Sequence, residues 1–186
     1  MIDYSVFTDN ARRTVSKAYA LAKEHNYPEI YPIVMLEAIM TEAPDMVQFL
    51  FQYLRINQVQ FCQVASNYMP AGSEQEHAEI PISMQLEHAF VKANAFARET
   101  GANVVALEHI FYGLCIIRDS PQEILNSFRV NEMMVKEAVL KFREGNTSHP
   151  AETTEPESSS TRHLKKYSTC LTDMANEGKL EPVIGR

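Results

Sequence analysis

The sequence predicts an all-α protein made of two pseudo-twofold-related four-helix repeats followed by a flexible tail. Three observations predict it. The octet KAYALAKE at 17–24 returns as KANAFARE at 92–99, with Lys17/Lys92, Ala18/Ala93, Ala20/Ala95, Ala22/Ala97 and Glu24/Glu99 identical at an offset of 75. Around each octet runs the same apolar stripe at helical spacing: Ala11, Val15, Ala18 and Ala22, then Leu86, Phe90, Ala93 and Ala97. The register also persists downstream. Ile30 and Leu36 pair with Val105 and Phe111, Ala38-Ile39 pairs with Gly113-Leu114, and after a one-residue slip Arg55-Ile56-Asn57 pairs with Arg129-Val130-Asn131.

Each element has its own local signals. Thr8 is a good N-cap for a first helix, with Phe7 just before it and Asp9 favoured by the helix dipole. That helix stops at the turn Asn26-Tyr27-Pro28. Pro32 suits the first turn of a second helix, through Thr41, whose buried face is Val34, Met35, Ala38 and Ile39. Pro44 opens a third helix ending near Leu54, and Asn57 caps a fourth with Val59, Phe61, Val64 and Tyr68 as apolar surface. Residues 70–81 are polar and acidic between prolines and read as the inter-repeat linker. Ser83 caps the second long helix, and Gly101 stands where a left-handed residue is wanted. A sixth helix spans roughly Leu107–Arg118. Ser120-Pro121-Gln122-Glu123 combines a Ser…Glu capping box with proline at the first position of a seventh, and Asn131 caps an eighth ending at Gly145.

The expected organisation is therefore a tandem-repeat domain over 1–144, with repeats at about 5–69 and 82–144. A flexible linker at 145–163 follows, rich in Thr, Ser, Pro and Glu and without an aliphatic residue larger than alanine. From 164 to 186 Leu171 and Met174 fall at helical spacing again, as though another domain begins. A hydrophobic fraction of 45% is ample for a core. The net charge of −7, with no Lys/Arg run longer than two, argues against nucleic acid as a partner. Cys62, Cys115 and Cys170 form no CxxC, and there is neither a signal-peptide pattern nor an apolar run of membrane length, so a cytoplasmic protein without a membrane partner is expected.

Motifs for chemistry are absent. The sequence has no GxxxxGK[ST] loop, no GxSxG, no HExxH and no Cys/His cluster at zinc spacing, so no catalytic residue, no metal and no cofactor is expected in this chain. Glu87-His88 and Glu108-His109 are adjacent pairs, which point in different directions on a helix and form no dyad unaided. The nine methionines suit either core filling or a surface that accepts varied apolar segments, with Met35, Met40, Met84, Met133 and Met134 the residues in question.

Two stretches together resemble the Clp unfoldases, the ClpA, ClpC and ClpB group of AAA+ proteins. The second helix of each N-terminal repeat in that family opens with a pattern like Ile-Gly-Thr-Glu-His-Ile-Leu. The second copy here is similar, Val105-Ala106-Leu107-Glu108-His109-Ile110-Phe111, whereas the first reads Ile30-Tyr31-Pro32-Ile33-Val34-Met35-Leu36 with Ile33 in place of the Glu. More specifically, Gly178-Lys179-Leu180-Glu181-Pro182-Val183-Ile184-Gly185-Arg186 resembles the opening of the first ATPase module, which in the family ends Asp-Pro-Val-Ile-Gly-Arg. The resemblance implies the substrate- and adaptor-binding N-terminal domain of a larger unfoldase. Such a domain would be monomeric alone and hexameric in the full protein, with protein substrates, adaptors and a protease ring as partners. ATP and Mg would belong to the full-length protein, where Val183 and Ile184 would lie against adenine.

The resemblance also suggests site residues. Glu108 matches a Glu that receives cationic groups such as phosphoarginine in protease-coupled relatives, and Thr8 matches a Thr linked to substrate capture in disaggregating ones. On physical grounds Glu108 stands in the first turn of its helix, where the dipole is expected to keep a carboxylate ionised, and a guanidinium pairs with a carboxylate through two charge-assisted bonds. Ile33 leaves one such site rather than two, with the first-repeat surface expected to serve apolar contacts. The alternatives are that Glu108 only caps its helix, and that the chain is a free-standing double-repeat adaptor or scaffold without an ATPase. A self-contained enzyme would need convergent polar groups that the sequence does not assemble.

Overall fold

The halves are tied together before they are packed. In the computed structural model, which describes residues 4–74, 77 and 79–147, two isolated β-bridges run between the repeats. Phe7 pairs with Val105, and Ile30 with Ile82. Their main-chain bonds match: Thr8 N–H donates to Val105 O at 3.0 Å and Val105 N–H to Val6 O at 2.7 Å, while Ser83 N–H donates to Ile30 O at 3.1 Å and Ile30 N–H to Pro81 O at 2.8 Å. The offset of 75 turns each bridge into the other. The residue ahead of each long helix is thus held by the segment ahead of the other half's second helix, as a twofold relation requires.

After a 3-10 turn at Tyr4–Val6 come α1 (Asp9–Glu24), α2 (Pro32–Glu42), α3 (Pro44–Tyr53) and α4 (Gln58–Ser66), then α5 (Met84–Glu99), α6 (Leu107–Ile116), α7 (Ser120–Ser127) and α8 (Glu132–Thr147). The caps largely follow the sequence. Thr8, Asn57, Ser83 and Asn131 each accept from the backbone N–H three residues on, at 3.2, 3.1, 3.2 and 3.1 Å. The exception is α7, whose N-cap is Asp119 rather than Ser120: Asp119 Oδ1 accepts from Ser120 N at 2.7 Å and from Ser120 Oγ at 2.8 Å. A carboxylate out-competes the hydroxyl at the positive end of the helix, and Pro121 moves to the second position.

α2 and α6 form the centre. Ile33, Val34, Met35, Leu36, Ala38 and Ile39 are all buried on α2, as are Leu107 and the run from His109 to Cys115 on α6. These helices are apolar on every side because α1 or α5 covers one face and the other half covers the next. The third helix of each half packs on the fourth helix of the other, α3 on α8 and α4 on α7. Ring contacts mark both seams, with Phe49 and Phe142 5.5 Å apart and Phe61 and Phe128 5.8 Å apart. The described residues therefore form one unit.

The structure sharpens or alters several local expectations. On α4 only Phe61 is buried, packed on Phe51 of α3 and Phe128 after α7, while Val59 is 67% exposed and Tyr68 is exposed. Both described ends of the inter-repeat segment are held by the helical body. Ile80 is buried, Pro81 belongs to a bridge, and Ser73 N–H donates to Asn26 O at 2.8 Å. The methionines divide: Met35 is in the core and Met40 packs against it, but Met84, Met133 and Met134 are exposed. The eighth helix runs through Thr147 instead of stopping at Gly145. The expected linker beyond 147, the segment 164–186, and with it Cys170, Val183 and Ile184, lie outside the described residues.

Candidate functional site

Both proposed binding residues sit at one corner of the fold. Thr8 ends the loop into α1, where its side chain caps the helix and its N–H bonds to Val105 O. Glu108 comes three residues after Val105, in the first turn of α6. The bridge that joins the two halves thereby brings Thr8 to the segment that carries Glu108. The first half has no equivalent, since Ile33 is buried at 3% exposure and offers no surface for apolar contacts.

The start of α6 is capped from within. Ala106 has no side-chain acceptor, so one half of a capping box is missing. The other half is made by His109, whose Nδ1 accepts from Ala106 N–H at 3.0 Å. His109 is 1% exposed, and burial together with the nearby Arg143 guanidinium pushes its pKa down to about 4. It is a neutral imidazole at pH 7.

Arg143 arrives from α8. Where α4 stops at Ser66, the position that matches Leu140, α8 continues for nearly two more turns and packs against α6. Arg143 Nη1 is hydrogen-bonded to Thr100 Oγ1 and lies 2.8 Å from His109 Nε2. Thr100 in turn donates to the last carbonyls of α5, Phe96 O and Ala97 O, each at 3.0 Å. The corner thus joins the end of α5, the start of α6 and the end of α8.

Glu108 is half-buried here, and this changes its electrostatics. Burial raises its pKa above the ordinary carboxylate value, against a lowering pull from its own backbone N–H and from Arg143. Desolvation thus opposes the helix dipole that was expected to keep this carboxylate ionised. Such a carboxylate is under-solvated and gains from a cation. Thr100 and Arg143 were not singled out from the sequence, and His109 was named only as the neighbour of Glu108, yet one signal was available. At repeat-equivalent positions Ile33, Val34 and Met69 become Glu108, His109 and Arg143, three apolar-to-polar changes of which the last two meet in space.

No group of three potential metal ligands occurs among the described residues. Among them, no helix is long and apolar enough to cross a membrane. Shallow surface grooves line the outer faces of α8 (Met133, Met134, Lys136, Glu137 and Leu140) and α4 (Val59, Cys62, Gln63 and Ser66), at repeat-equivalent positions and away from the Glu108 corner.

Residues 6–165 match the family model of the Clp repeat (R) N-terminal domain. The chain belongs to the Clp repeat N-terminal domain family. Chaperone protein ClpB of Rickettsia conorii is 27% identical over 183 residues, covering 97% of this chain and 21% of that protein. ClpB of Bacteroides thetaiotaomicron is 26% identical over 185 residues, covering 100% and 21%. This Clp N-domain chain thus spans about a fifth of the length of those relatives. Among solved structures, the Hsp104 N-terminal domain from Candida albicans superposes with a TM-score of 0.65 at 23% identity, covering 74% of this chain and 91% of that one. The N-domain of ClpV from Vibrio cholerae gives 0.62 at 14% identity, covering 74% and 86%. At these identities the likeness is one of fold.

Proposed function

We propose that this chain is the substrate- and adaptor-binding N-terminal domain of an ATP-dependent Clp unfoldase, and that the Glu108–Thr8 corner receives a cationic side chain of the bound protein. The observation that carries the reading is the half-buried Glu108 carboxylate at the start of α6, in a domain whose family membership spans residues 6–165. A carboxylate in that setting is stabilised by a guanidinium, which can pair with it through two charge-assisted bonds. Thr8 and its N-cap geometry hold the adjoining loop in place. A ClpV N-domain, similar in fold at 13% identity and a TM-score of 0.59, has been solved in complex with a VipB peptide, which supports peptide capture by such domains. The power stroke belongs to the ATPase modules of the full-length protein, where ATP and Mg act, and an adjoining protease ring and hexameric assembly go with that larger protein.

The test compares wild type with Glu108→Ala and Glu108→Gln for binding to arginine-bearing and phosphoarginine-bearing peptides, with melting recorded alongside. Loss of binding by about tenfold or more at unchanged melting temperature is expected, as for removal of one partner of a charge-assisted pair. Unchanged binding leaves Glu108 a residue of the helix start and nothing more.

A further inference from the structure

The seam between α3 and α8 keeps an apolar rim that the fold itself does not use. On α3, Phe49 and Tyr53 stack with ring centres 6.4 Å apart, yet they remain 38% and 41% exposed. On α8, Met133, Glu137 and Leu140 fall at i, i+4 and i+7 along a groove of about 420 Å³, beside the exposed Met134. Tyr53 joins the two rows, its OH donating to Glu137 Oε1 at 2.7 Å. The other seam shows that the repeat does not need such a surface. Its positions matching Phe49, Tyr53 and Leu140 are Glu123, Ser127 and Ser66.

The charges around α8 do not balance. Lys136 is held by Glu99 at 2.6 Å and Lys141 by Glu144 at 2.8 Å. Glu132 and Glu137 accept from the hydroxyls of Tyr112 and Tyr53, at 3.0 and 2.7 Å, and neither has an ion pair among the described residues. Four carboxylates thus stand against two lysines, whereas α4, the matching helix, carries no charged residue.

We propose that the α3–α8 seam is a second docking surface, and that it takes an amphipathic helix of a partner protein whose apolar face is flanked by lysine or arginine. A helix arrives with its own backbone groups satisfied, which suits a face where α3 and α8 offer side chains and no open strand edge. The methionines adapt to apolar side chains of different shape, and the aromatic pair supplies a stiffer wall. A cation beside the apolar anchors meets the unpaired charges of Glu132 and Glu137, whereas an acidic helix meets like charge. None of these side chains belongs to the Glu108–Thr8 corner, so the two surfaces can fail separately.

The experiment uses the full chain, labelled at its methionine methyls, with a synthetic amphipathic peptide of about five helical turns. Leucines form one face of the peptide and lysines flank them; two counterparts carry glutamate or glutamine in place of the lysines. The Met133 and Met134 methyl signals are expected to move on addition of the lysine peptide, while that of Met84, exposed on α5, stays in place. Met133→Ser is expected to weaken binding about fivefold or more. So is Glu132→Gln combined with Glu137→Gln, in which the amide oxygens still accept from the two tyrosines. Melting temperatures should be unchanged, and Glu108→Gln should bind the lysine peptide as wild type does. Motionless Met133 and Met134 signals at saturating peptide overturn the proposal, as does equal binding of the glutamate counterpart. Movement of the same two signals with protein concentration alone, together with a doubled mass in sedimentation, assigns the seam to a second copy of the chain and overturns the partner helix. Loss of the lysine peptide in Glu108→Gln but not in the α8 variants places that peptide at the Glu108 corner and overturns the second surface while leaving the first.

Discussion

His109 and Glu108 are neighbours whose protonation pulls stability in opposite directions. His109 is held neutral, with a folded pKa of about 4 against 6.5 when free, so between those values the unfolded chain binds more protons. Its contribution is therefore complete above pH 6.5 and lost as pH falls towards 4, amounting to at most ~3 kcal/mol at 1.4 kcal/mol per unit. His109→Gln should flatten this part of the profile while keeping the cap, because glutamine is the usual residue at that position of a capping box. Melting temperature against pH for both proteins is the measurement, and an equally steep acid loss in the variant would remove His109 as the cause. Glu108 has a raised pKa, so it is the folded state that binds the extra proton and the penalty of the carboxylate is felt above the folded pKa. Glu108→Gln should consequently melt no lower than wild type at pH 7. A clear drop would mean that the carboxylate holds the fold together, against the functional reading.

At the scale of elements, the second half departs from the first where helices come closest. Gly113 on α6 stands where α2 has Ala38, and a Cβ at Gly113 would lie 2.3 Å from Ala89 O and 3.1 Å from Ala93 N on α5. Alanine gains about 1 kcal/mol of helix propensity, but overpacking against a backbone costs about 1–3 kcal/mol or more. Gly113→Ala should therefore be destabilising despite its propensity, read as a lower denaturant midpoint. Gly101 offers the contrasting case, with a φ of 73° and open space around it; alanine there pays the left-handed backbone penalty of about 1 kcal/mol and nothing else. Its repeat partner Asn26 meets the same demand with a φ of 53°. The length of the fourth helix is the other departure. Seven residues beyond Leu140 put Phe142 on Phe49 and Arg143 on Thr100, so a chain ending at Leu140 should melt at a lower temperature than the full chain.

For the whole molecule, the crossed bridges and the α3–α8 and α4–α7 seams make each half incomplete without the other. Residues 1–69 expressed alone should be largely unfolded, because Phe61, Val47 and the α2 core would lose their cover. Mixing with residues 82–147 should restore helical circular dichroism. Independent folding of either half would show that the repeats are separate domains. Titration of the intact chain with ATP and magnesium should give no heat, since the sequence carries no GxxxxGK[ST] cradle; micromolar binding would overturn that expectation.

The sequence by itself determined the helices, most of their caps and the doubling, because these depend on residues within a turn or two and on a pattern written twice. Thr8, Asn57, Ser83 and Asn131 each satisfy a donor three positions away, a distance any reading of the chain can cover. It also offered Glu108, through its place in a helix's first turn and its resemblance to a family motif. Only the tertiary structure decided that Ile33 faces the core, that Val59 and Met133 do not, and that Glu108 is half-buried, which raises its pKa. It alone decided that Arg143, 35 positions from Glu108 along the chain, occupies the same corner. Burial and charge pairing are sums over neighbours brought together by packing, and the local periodicity that places a residue on a helix does not say which other helix will cover it.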